Sequence, residues 1–255
     1  MRLKHIGLFI LIGMLFSCKK QQSELDAFKS VKSTCEDITG VKGLYWDLSN
    51  GVARGDIPGG VPVIENPDPN RFTYTEWPLL SVEFPVGYRA EKLGDGNPNL
   101  IGVDVIRNDN LVVWRYYNDI FSGQLTTTDV LRAEINNFLN GFGFSADQIQ
   151  IDCTNGPKTQ PITSSMFTGF ESRLIQVGDM TAQFTANVTY ASDLNTSFYH
   201  AQVSFAPIGE YETVVMSTFL PIHWQLFVTD KEFVDSDGDG VVDQNDNFPF
   251  DPKRQ

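Results

Sequence analysis

Cysteine and histidine are scarce in this chain, three of each among 255 residues. Three cysteines are too few for a disulfide scaffold or a Cys-rich zinc module. Basic residues are outnumbered 19 to 32 by acidic ones, and the formal net charge of −13 excludes the basic footprint of a nucleic-acid binder. No apolar run reaches the ~20 residues that a membrane-spanning helix requires. The sequence also holds no His-x-x-x-His pair, no Gly-x-Ser-x-Gly elbow and no Gly-rich phosphate loop. What is present is ordinary for a globular protein: 41% hydrophobic and 20% charged residues. Such a composition excludes wholesale disorder, collagen and coiled coil, and the length suits one or two domains.

The N-terminus reads as an address. Arg2 and Lys4 precede the apolar run Ile6 to Phe16, which has the charge and length of a secretory h-region. Leu15-Phe16-Ser17-Cys18 follows, a small residue before a cysteine behind that run. The pattern resembles the lipobox of bacterial lipoproteins, with Phe16 larger than the residue usual at its position. The resemblance implies cleavage after Ser17 and acylation of Cys18. Each buried CH₂ contributes ~0.8 kcal/mol, so several acyl chains would hold the protein on a membrane almost permanently. Lys19 and Lys20 stand where an aspartate would mark inner-membrane retention, which implies an outer-membrane lipoprotein of the cell envelope, with its facing open. Loss of Arg2 and Lys4 leaves 17 basic against 32 acidic residues, a net −15. Anionic headgroups would repel such a body, so the lipid does the anchoring.

Residues 1–17 are thus expected to be a signal peptide and 18–33 a polar, lipidated tether. Residues 34–229 are expected to form the main domain and 230–255 a tail. The stretch 47–70 is dense in Gly and Pro and reads as irregular. Strands follow. Leu80 to Phe84 alternates and stops at Pro85. Val103 to Val105 and Leu111 to Trp114 flank a hairpin turn at Arg107-Asn108-Asp109-Asn110. Met180 to Tyr190 has strict period-2 alternation, the signature of a strand with one wet face, and Gly178-Asp179 can turn back from Leu174 to Val177. Tyr199 to Phe205 alternates again after a polar turn at Ser192 to Ser197. Thr213 to Leu220 and Ile222 to Val228 read as strands split by Pro221. One helix is predicted at about 127–140, capped by Thr127 or Thr128, with an apolar stripe of Leu131, Ile135, Phe138 and Leu139 and with Gly141 at its C-cap. The fold class expected is α+β, an antiparallel sheet with this one helix packed on it. The order of strand, hairpin, helix and meander is similar to that of PsbP/Mog1-like proteins. No specific motif carries the similarity, and the main domain is assigned to no family.

Two histidines remain in the mature chain, His200 on the polar face of its predicted strand and His223 opposite an apolar stripe. Each reads more readily as a surface or half-buried histidine than as part of a triad. Trp46, Trp77, Trp114 and Trp224 could line a sugar platform, but aromatics on strand patterns are more often core. Once Cys18 is lipidated, Cys35 and Cys153 are the only cysteines left. In an oxidising envelope they are expected to pair, two free thiols being the alternative. The bond would contribute roughly 2–4 kcal/mol.

The tail carries the most specific motif. Asp235, Asp237 and Asp239 fall at positions 1, 3 and 5 of a loop with Gly240 at position 6, matching the calcium loop of an EF-hand. Calcium takes six to eight oxygens, and alternate residues of a tight turn can aim short carboxylates at one point. Val241 at position 7 needs only its carbonyl, Asp243 at position 9 can act through a water, and Asp246 closes the loop. Pro249 and Pro252 forbid an exit helix. The run from Asp235 to Pro252 resembles a thrombospondin type 3 repeat. Phe248 stands where that family has a cysteine, and the repeat is single. Calcium is therefore the expected cofactor. The whole reads as a lipid-anchored envelope protein, a non-catalytic binding or structural module with a calcium-binding tail and an unidentified protein or glycan partner. The alternative is an envelope hydrolase or glycan-active enzyme.

Overall fold

The computed structural model describes residues 42–43, 45–46, 63–74, 81–94 and 96–227. The signal peptide, Cys18, Cys35, Trp77 and the calcium loop lie outside these residues. A small antiparallel pair joins β1 (Phe72–Thr73) to β2 (Ser81–Val82). The body is a seven-stranded sheet of β3 (Tyr88–Leu93), β4 (Ile101–Arg107), β5 (Val113–Ser122), β6 (Ile149–Pro161), β7 (Met166–Val177), β8 (Met180–Ala191) and β9 (Thr196–Pro207). Its order is β3-β4-β5-β9-β8-β7-β6 with every neighbour antiparallel. Helix α1 (Thr127–Gly141) links β5 to the second meander, and a 3₁₀ turn (Ala146–Gln148) leads into β6. A second helix, α2, runs from Tyr211 to Phe227.

The turn chemistry explains the hairpins. Asn110 takes the left-handed conformation (φ 63°), and Asp109 accepts the Leu111 N–H at 2.9 Å. Gly178, also left-handed, turns β7 into β8. In β6 one extra residue is accommodated at Gly156-Pro157, so Asn155 pairs with Ser172 and Lys158 with Phe170. A Cβ on Gly156 would meet the Phe170 carbonyl oxygen at 2.7 Å, and its φ is +104°, so glycine is required there.

Helix α1 covers one sheet face. Val130, Leu131, Ile135, Phe138 and Leu139 are buried against Phe184, Val203, Phe205 and their neighbours. Phe138 meets Phe205 and Phe184 edge-on, with centroids 5.3 and 5.8 Å apart. Each such side chain contributes about 1.5–3 kcal/mol on burial. Under the same helix Arg115 holds Asp104 bidentately at 2.7 Å and reaches Glu134 at 3.0 Å, and Tyr117 donates to Glu134 at 2.8 Å. The carboxylates buried by the helix are thus paired.

Several elements differ from expectation. The N-cap of α1 is Thr126, not Thr127 or Thr128. Thr126 and Asp129 form a reciprocal capping box, whereas the Thr127 and Thr128 hydroxyls both donate to Glu171. Gly141 is the last helical residue, and Gly143 takes the left-handed position beyond the Phe142 cap. Among the described residues of the strand expected at Leu80–Phe84, Ser81–Val82 are paired, and Val82 and Phe84 are buried as the alternation required. β5 begins at Val113 rather than Leu111.

Residues 213–227, expected to lie in two strands, form helix α2 instead, so the described residues hold two main helices rather than one. Its buried positions Tyr211, Val214, Val215, Thr218, Phe219 and Ile222 recur at helical spacing. Pro221 is accommodated after a π-helical turn at Val215–Phe219, where the backbone N–H of Leu220 reaches Val215 O. Such a wide turn relieves the ladder where proline supplies no donor.

Helix α2 and the residues Tyr45 and Trp46 pack on the other sheet face, so the face of β8 expected to be wet is covered from Thr181 to Thr185 and open only at Asn187 and Thr189. Thr181, Gln183 and Thr185 are 1, 3 and 9% exposed. The alternation was a sign of two different coverings, an apolar one under α1 and a polar one under α2.

Candidate functional site

Directly opposed residues of an antiparallel sheet share a face, so the registers define rows across the α2 side. The first row is Val105, Trp114, Ser204, Gln183, Leu174 and Cys153, and the second Val103, Tyr116, Gln202, Thr185, Ser172 and Asn155. Both contribute to a buried layer. The Tyr45 hydroxyl lies 2.7 Å from Ser204 Oγ and accepts from Gln202 Nε2 at 3.0 Å. Burial pushes the Tyr45 phenol well above its ordinary pKa.

The third row is Ile101, Asn118, His200, Asn187, Phe170 and Lys158, and the fourth brings Ile120, Phe198, Thr189 and Thr168 together. Here the face opens into a cavity of about 700 Å³. Its lining includes Asn99, Asn118, Asp119, Thr168, Asn187, Thr189, Phe198 and His200. Asn187 Nδ2 donates to His200 Nε2 at 2.8 Å, which leaves the imidazole proton on Nδ1. Burial pushes the His200 pKa down to about 4. The imidazole is therefore neutral near pH 7. Its ring lies 5.7 Å from that of Tyr116, whose hydroxyl donates to Asn118 Oδ1 at 3.3 Å. The Thr189 hydroxyl reaches Thr168 at 3.4 Å. Asp119 accepts from Tyr199 OH at 3.1 Å, Asn97 Nδ2 at 3.3 Å and its neighbour's backbone N–H at 2.7 Å.

Of the residues singled out in the sequence, His200 lines this cavity. His223 belongs to α2, where its ring meets Tyr45 edge-on at 6.0 Å. Trp114 and Trp46 are core at 0 and 2% exposure, and Trp224 packs half-buried against the same cluster. None of these three lines the cavity, so they build no sugar platform there, and Trp77 lies outside the described residues. Cys153 is buried and disulfide-bonded, and Cys35 lies outside the described residues. So do Cys18 and the calcium-loop residues Asp235, Asp237, Asp239, Val241, Asp243 and Asp246. Among the described residues no group of three His, Cys, Asp or Glu side chains could hold a metal, and no helix is long and apolar enough to cross a membrane.

Sequence reasoning missed Asn118, Asn187, Thr168 and Thr189 as site residues. Asn187 and Thr189 were visible as polar positions of β8. Their convergence with Asn118 and His200 depends on strand register across three strands, which no local pattern encodes. No protein-family model and no curated protein matches the chain.

Proposed function

We propose that this protein is a lipid-anchored envelope module that binds a ligand without transforming it, in the cavity around His200. The observation that carries this reading is the pairing of His200 with an amide. A general base needs a pKa near the working pH, and a carboxylate partner raises the basicity of an imidazole. His200 has Asn187 beside it and a pKa near 4, which makes it a weak base and a fixed hydrogen-bonding group. The lipobox supports an anchor at Cys18, and the aspartate loop supports calcium held by Asp235, Asp237, Asp239, Val241, Asp243 and Asp246.

Nitrogen-15 NMR of the histidine rings tests the role given to His200. At pH 7 its signals should be those of a neutral ring protonated on Nδ1, with a titration midpoint near 4. A midpoint at or above the ordinary value of about 6.5 would restore it as a candidate base.

A further inference from the structure

We propose that the ligand of this cavity is a neutral saccharide. The inference rests on the binding-module reading and names its ligand class. A sugar hydroxyl both donates and accepts, so its site needs fixed groups of both kinds. Asn118 spends its carbonyl oxygen on Tyr116, which leaves its amide N–H groups as donors. Asn187 spends its amide nitrogen on His200, which leaves its carbonyl oxygen as an acceptor. His200 accepts through Nε2 and keeps the Nδ1 proton to donate. Each side chain is thus held by one bond with the complementary atom spare. None of these spare atoms is among the described polar atoms sealed from solvent without a partner.

The apolar part of the site has the complementary character. Phe198 and Ile120 face each other across β9 and β5 in the next row, 41 and 44% exposed. They offer a surface for the C–H face of a sugar ring. Charge argues against anionic ligands. Among the described lining residues none is cationic, and the mature body carries −15, so an anion finds no counter-charge. A volume of about 700 Å³ suits an oligosaccharide segment.

Calorimetry on residues 19–255 tests this with β-linked tetramers of glucose, galactose, mannose and N-acetylglucosamine. An anionic galacturonate tetramer and tetra-alanine serve as comparisons. At least one neutral tetramer should bind. Asn187→Ala and Phe198→Ser should each weaken it by about tenfold or more. Phe198 is exposed at the rim, so Phe198→Ser should keep the wild-type melting temperature even if Asn187→Ala disturbs the His200 pair. No heat from any neutral tetramer at millimolar concentration, heat that both variants leave unchanged, or preferred binding of the galacturonate or the peptide would overturn the saccharide assignment. Mass spectrometry of the recovered sugar separates this proposal from the reading beneath it. Cleaved sugar would uphold the ligand class and refute the non-catalytic module.

Discussion

His200 joins the site to the stability of the sheet. Its folded pKa of about 4 lies below the ordinary histidine value of about 6.5. Between those values the unfolded chain binds a proton that the folded chain refuses. Its contribution is fully present above pH 6.5 and is lost as the pH falls towards 4, an amount on the order of 2 kcal/mol by pH 4.5. Urea unfolding of the wild type and of His200→Gln at pH 7 and 4.5 should show a smaller acid loss in the variant. Equal losses would mean that His200 titrates alike in both states. At this scale the sequence was half informative. Period-2 alternation placed His200, Gln202 and Ser204 on one polar face, and they do share it. That Gln202 and Ser204 are buried depends on Tyr45, more than 150 positions away in the chain, and nothing local signals such a cover.

Helix α1 was legible because its apolar stripe, its acidic first turn and its threonines agree with one another. The choice among three consecutive threonines was not, since all three can cap. Tertiary contact decides it: Glu171 on β7 takes the hydroxyls of Thr127 and Thr128, and Thr126 is left to pair with Asp129. Thr126→Ala should therefore cost about 1 kcal/mol in urea unfolding, as loss of a cap does, and Thr126→Ser should restore most of it. A neutral Thr126→Ala would contradict the capping box. Helix α2 was misread for a different reason. Its β-branched residues favour strands locally and Pro221 disfavours a helix interior, while the helical spacing of Tyr211, Val214, Val215, Thr218, Phe219 and Ile222 becomes decisive only through packing on the sheet. The strands β3 and β6 lie at the sheet's edges and alternate weakly, β6 because of its bulge.

At the scale of the whole molecule, the proposed anchor and the proposed calcium tail flank in sequence a domain with a polar cavity on one sheet face. Five aspartates within the twelve-residue loop from Asp235 to Asp246 repel one another without a cation. Calcium should bind them with a dissociation constant on the order of 10⁻⁴–10⁻³ M, as in extracellular modules, and magnesium should compete poorly. Titration calorimetry should give heat with residues 19–255 and none with a chain ending at Val234. Equal heats would place the site elsewhere. The expectations for the tail and the leader rest on chemistry that is local in sequence, a run of ligands or an apolar segment before a cysteine, and both lie outside the described residues. The central claim is that the domain between them binds without catalysing, and a turnover screen tests it most directly. Residues 19–255, with calcium present, should leave esters, peptides and glycans unchanged. Turnover of any of them that His200→Ala or His223→Ala abolishes would contradict the account.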